Sequence, residues 1–86
     1  MSLTFADCLG LCDLTEQEVL AIAEHEHIPR MAAVELGSYL AQTPAGERRI
    51  KEMIVEDIAH ALEQNDRERV LTLKVCLKHF LEHHVA

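Results

Sequence analysis

Pro29 and Pro44 are the only prolines in the 86 residues, and each stands where one helical pattern stops and another starts. A proline disfavours the α region for the residue before it. It nevertheless suits the first turn of a helix, where its missing N–H leaves nothing unsatisfied. Pro29 is therefore predicted to end one helix and to sit at the first helical position of the next. Thr43-Pro44 repeats the device, with Thr43 as N-cap. Upstream, Thr15-Glu16-Gln17-Glu18 has the form of a capping box, in which the Thr15 hydroxyl accepts from the Glu18 N–H and the Glu18 carboxylate reaches back. Leu14 and Val19 flank it as a hydrophobic staple. Asn65-Asp66 makes a later turn, with Asp66 as a further cap.

These marks predict helices over about 16–27, 29–42, 44–64 and 66–83. An apolar opener over 2–12 makes one or two turns, capped by Ser2 or Thr4 and ending at Gly10. The third helix presents Ile50, Met53, Ile54, Ile58, Ala61 and Leu62 inward, interrupted by Asp57, and the fourth presents Val70, Leu73, Cys76, Leu77, Phe80 and Leu81. The second carries Ala33, Leu36, Gly37 and Leu40 at the same spacing. Gly37 in mid-helix costs about 1 kcal/mol against Ala, which predicts the close approach of a neighbouring helix. Composition agrees: 12 Leu and 10 Ala stand against three Gly, two Pro and three aromatics, too few turn and β-favouring residues for a sheet. The expected fold is one all-α domain over residues 1–86. It is four-helix bundle-like, built on a long antiparallel hairpin with two shorter helices and room for a short N-terminal helical turn. In an alternative, the hairpins of two chains complete a larger bundle as a C2 homodimer.

Eight Lys+Arg against fifteen Asp+Glu give a formal charge of −7, which argues against nucleic acid and anionic membrane as partners. No apolar run approaches the ~18 residues of a membrane-spanning helix. The first residues lack the basic start of a secretory signal, and three cysteines (Cys8, Cys12, Cys76) do not make a disulfide framework, so a cytoplasmic location is expected. The acid is unevenly spread. Residues 1–46 hold seven acids and one base, whereas residues 47–86 hold eight acids and seven bases. The first part thus reads as an acidic surface suited to a basic protein partner, and the second as a solvated or self-associating face.

Chemistry is most strongly hinted at by carboxylate–imidazole pairs. Glu24-x-x-His27 and Asp57-x-x-His60 each place the two groups on one helix face, with Glu35, His79 and His83 as further candidates. Such pairs on facing helices are how di-metal bundles build their centres, so Glu24, His27, Asp57 and His60 are the candidate metal ligands. The competing reading is chance: with fifteen acids and six histidines, such spacings arise freely, and histidines at helix ends suit the dipole. Asp57 either needs a partner such as Arg67, Arg69, Lys74 or a histidine, or lies on the edge of a wide apolar row. Cys8-x-x-x-Cys12, with Asp7, Asp13 and a distant histidine, is weakly zinc-like, and packing is the simpler role. There is no Gly-x-Ser-x-Gly elbow and no phosphate loop, so neither catalysis nor a cofactor is expected. The two short helices loosely resemble a helix–turn–helix, but the second carries Arg30 as its single base.

The segments His25-Glu26-His27-Ile28-Pro29, Glu35-Leu36-Gly37-x-Tyr39-Leu40 and Thr43-Pro44-x-Gly46-Glu47, with Met53-Ile54-x-x-Asp57-Ile58 and His79-Phe80, carry a resemblance. Over residues 14–81 the chain resembles a group of small hypothetical all-α proteins of proteobacteria with no assigned function. The resemblance implies a bacterial cytosolic origin and transfers no functional residue. The expected function is a small acidic interaction or self-associating module without catalysis, with metal binding as the alternative.

Overall fold

The computed structural model describes residues 4–12 and 14–84. They form five α-helices: α1 (Phe5–Gly10), α2 (Glu16–Glu26), α3 (Arg30–Leu40), α4 (Pro44–Glu63) and α5 (Arg67–His84), with no strand among the described residues. Ser2 and Asp13 lie outside the described residues.

Local chemistry sets most of the boundaries. At α2 both capping-box bonds form: Glu18 N–H donates to Thr15 Oγ1 at 3.2 Å, and Thr15 N–H donates to Glu18 Oε1 at 2.7 Å. Thr4 and Asp7 make a second capping box that starts α1. Thr43 Oγ1 accepts from Gly46 N–H at 3.0 Å with Pro44 in the first turn of α4, and Asp66 Oδ1 accepts from Arg69 N–H at 3.1 Å at α5. Pro29 differs from expectation. It is the N-cap of α3, in extended backbone, and not its first helical residue. The cause is how α2 ends: His27 adopts the left-handed conformation (φ 56°) and the Ile28 N–H reaches the Ala23 carbonyl at 3.0 Å. That closure consumes two residues, so α3 begins later. Asn65 (φ 56°) ends α4 in the same way, with Asp66 N–H on the Ala61 carbonyl.

The helices meet around α2, which packs against α3, α4 and α5, while α4 and α5 pair as an antiparallel hairpin joined by three residues. α1 rests on α3, where the Arg30 guanidinium lies 4.4 Å from the Phe5 ring centre. The core draws Val19 and Ile22 from α2, Ala33 and Val34 from α3, Ile50, Met53 and Ile54 from α4, and Leu73, Cys76 and Phe80 from α5. The molecule measures 42 × 28 × 18 Å, its short axis spanning two helix layers. Gly37 is buried as expected: a Cβ there would lie 2.5 Å from Leu14 Cδ1 and 3.1 Å from Ile22 Cδ1. Leu62 is the exception in the inward row and is exposed. It stands about 80° around the helix from Ile54, at the rim of the apolar arc, and the row closes instead on Ala61.

Candidate functional site

Two features stand out: a polar junction where α2, α4 and α5 meet, and the outward face of α5. The junction begins with His25, half-buried on α2. Its Nδ1 lies 2.9 Å from Glu26 Oε2 and its Nε2 lies 2.9 Å from Glu56 Oε1 on α4. Only a ring protonated on both nitrogens donates to both carboxylates at once. Arg49 Nη1 reaches Glu52 and Glu56, each at 3.4 Å, and Arg69 of α5 pairs with Glu24 of α2. Asp57 sits among these charges with its Oδ2 buried and lacking a hydrogen-bond partner among the described residues. Burial pushes its carboxyl up from the usual 3.8 to about 6; His25 and Arg69 pull it down, and Glu24 and Glu56 push it further up.

Of the four candidate metal ligands, Glu24 and Asp57 thus share one neighbourhood. His27 is exposed at the left-handed end of α2, and His60 is exposed in the last turn of α4. Among the described residues, no group of three or more His, Cys, Asp and Glu side chains is placed to hold a metal ion. The imidazole that does join the junction is His25, a residue the Glu-x-x-His spacing passed over. A signal for it exists in the sequence. His25 lies seven residues after Glu18 and three after Ile22, so it continues the inward row of α2.

Of the described acids of the first half, Glu18 alone is buried, and the others lie at the surface, several of them in caps or ion pairs. Glu18 is 0% exposed, Glu24 is held by Arg69, Glu26 by His25, and Asp7 caps α1. Glu16 and Glu35 remain exposed. The second oxygen of Glu18 faces His79 Nδ1 of α5 at 3.4 Å. Cys76, one turn before His79, is buried, and the lost hydration together with the Glu18 charge pushes its thiol up to about 12. An acid, an imidazole and a thiol meet here, but a thiol so raised supplies no thiolate at neutral pH. The Cys12 thiol, for its part, faces the carbonyls of Leu9 and Leu14 at 3.4 and 3.5 Å.

On the outside of α5, Leu71 and Val75 are 65% and 62% exposed, one turn apart on a helix whose other face is in the core. A groove of about 480 Å³ runs beside them, walled by Thr15, the N-cap of α2, by Gln17 of that helix and by Thr72 and His79, with buried Cys76 in its lining. A smaller groove of about 220 Å³ lies on the other flank, between Leu62 of α4 and Lys74. Among the described residues no helix is long and apolar enough to cross a membrane. Comparison with protein-family models, with curated proteins and with solved structures returned no match.

Proposed function

We propose that this chain is a small cytoplasmic interaction module that docks another polypeptide on the outward face of α5 and performs no catalysis. The observation that carries this reading is the exposed pair Leu71 and Val75, standing between two grooves. Two large aliphatic groups one turn apart in water gain free energy when a partner covers them, about 1.5–3 kcal/mol for each side chain fully buried. In this reading α2 to α5 act as a four-helix bundle-like scaffold that holds α5 rigid. The unpaired thiols of Cys8, Cys12 and Cys76 agree with a reducing compartment. The net charge of −7, and the engagement of Arg30 with Phe5, speak against a nucleic-acid partner.

The test is a Leu71→Glu, Val75→Glu double variant. Both positions face solvent, so helix content and unfolding midpoint should be retained while the proteins captured by the wild-type chain from its host are lost. Unfolding of the variant would place these residues in the core, and capture of the same proteins by variant and wild type would sink the docking reading.

A further inference from the structure

The outer row of α5 is its own complement when turned end for end. Glu68, Leu71, Val75 and Lys78 follow at steps of three, four and three residues, the spacing of a seam between two helices, and all four are exposed. Val70, Leu73, Cys76 and Phe80 of the same helix are in the core, so the row stands clear of the fold. Its order is acid, apolar, apolar, base. Set against a second copy running antiparallel, about a two-fold axis level with Leu73, Leu71 meets the partner's Val75 and Glu68 meets the partner's Lys78. A parallel alignment would oppose like charges at both ends. Grooves on both flanks of the row accept the facing side chains.

Charge also favours a second copy on this row. The chain as a whole carries −7, so most of its surface repels a like chain, whereas the stretch from Glu68 to Lys78 of this row holds one acid and one base, with Glu82 one turn beyond. Within its own chain Lys78 meets Glu82 only at 3.9 Å, an exposed pair that is readily exchanged for a partner carboxylate.

We propose that the protein forms a two-fold homodimer through antiparallel contact of the α5 row Glu68, Leu71, Val75 and Lys78 with the same row of a second copy. This rests on the docking reading of α5 and names its occupant. A single helix pair buries less than the ~1,200 Å² of a standard interface, so the dimer is weak and depends on concentration.

Sedimentation equilibrium of the full chain from low micromolar to millimolar concentration tests it, with circular dichroism to check the fold of each variant. The wild-type mass should rise from one chain to two. Glu68→Lys alone or Lys78→Glu alone should weaken association about tenfold by opposing like charges, and the two together should restore it. A chain that stays monomeric throughout, a dimer indifferent to both single reversals, or a double variant no better than either single one overturns the antiparallel α5 homodimer. The docking reading is judged separately. If the wild type is monomeric yet Leu71→Glu, Val75→Glu still abolishes capture of a host protein, only the occupant is wrong.

Discussion

The Glu18 carboxylate, wholly buried, takes the Thr15 N–H on one oxygen at 2.7 Å and faces His79 Nδ1 with the other at 3.4 Å. One side chain thus closes the start of α2 and ties that helix to α5, 61 residues away in sequence. Glu18→Ala should cost about 2–4 kcal/mol, because it removes the returning half of the capping box, leaving Thr15 N–H without its acceptor, and leaves a cavity in the core. Glu18→Gln keeps the shape and an acceptor, so about half that loss is expected by urea unfolding. His79→Ala should cost about 1 kcal/mol, since the imidazole is partly in water. Equal losses for Gln and Ala at position 18 would show that the negative charge, not shape and cap, holds the junction.

Asp57 predicts a dependence on pH whose sign follows from its raised pKa. The folded chain binds this proton more tightly than the unfolded one, with pKa values of about 6 and 3.8. The contribution of Asp57 to stability therefore falls as pH rises from about 4 through about 6, and is least favourable above that range. Asp57→Asn removes the charge and should stabilise at pH 7 by about 1 kcal/mol once solvent screening of this partly exposed group is allowed for, with the gain vanishing near pH 4. Unfolding curves of both proteins at the two pH values make the comparison. A gain that is equal at both would mean the burial of charge is not its source.

His27 and Asn65 both adopt φ 56°, a conformation that costs an ordinary residue about 1–2 kcal/mol and glycine almost nothing. His27→Gly should raise the melting temperature by several degrees, with a smaller gain for Asn65→Gly because Asn tolerates this region better. His27→Val should lower it. A loss of stability on His27→Gly would indicate that the imidazole, rather than the backbone, matters at the end of α2.

The two buried glycines should respond differently to alanine. At Gly46 a Cβ would stand 1.8 Å from the Leu40 carbonyl oxygen, which is backbone, so the α3–α4 turn must open. Gly46→Ala is expected to cost about 3 kcal/mol or more. At Gly37 the nearest atoms are the ends of the Leu14 and Ile22 side chains, which yield by rotation. The gain in helix propensity there, about 1 kcal/mol, offsets part of the strain. Thermal unfolding should rank Gly46→Ala well below Gly37→Ala, and the reverse order would contradict the packing at the turn.

Metal content is predicted to be low. Glu24 is held by Arg69, while His27 and His60 are exposed. Elemental analysis of untagged protein purified without chelator should find substoichiometric iron, manganese and zinc, and a chelator should leave the melting temperature unchanged. One metal ion per chain, lost on His60→Ala, would restore the carboxylate–imidazole site.

Much of the architecture was legible because it rests on short-range rules. Thr15 and Glu18, Thr43 and Pro44, and Asp66 act within one turn of themselves, and the rows Ile50-Met53-Ile54-Ala61 and Val70-Leu73-Cys76-Phe80 need only a period of 3.6 residues. Pro29 shows where that reasoning stops. Its position depended on the left-handed His27, which local preference does not foretell for histidine. The candidate site was less legible. Glu-x-x-His spacing identifies groups on one helix, but the carboxylate beside His25 comes from Glu56 and the cation beside Glu24 from Arg69, 31 and 45 residues away.

The amino-acid order by itself determined that this chain is all-α, where its long helices run and which stripe of each turns inward, because caps, prolines and apolar periodicity act over a few residues. Only the tertiary structure decided which polar groups meet. The uneven spread of charge suggested an acidic surface in the first half; the packing decided that Glu18 is buried against α5 and that the still exposed Glu24 and Glu26 pair with Arg69 and His25, while an uncovered apolar row appears on α5. Partners in space are set by how the helices pack, and residues tens of positions apart carry no periodic mark of their meeting.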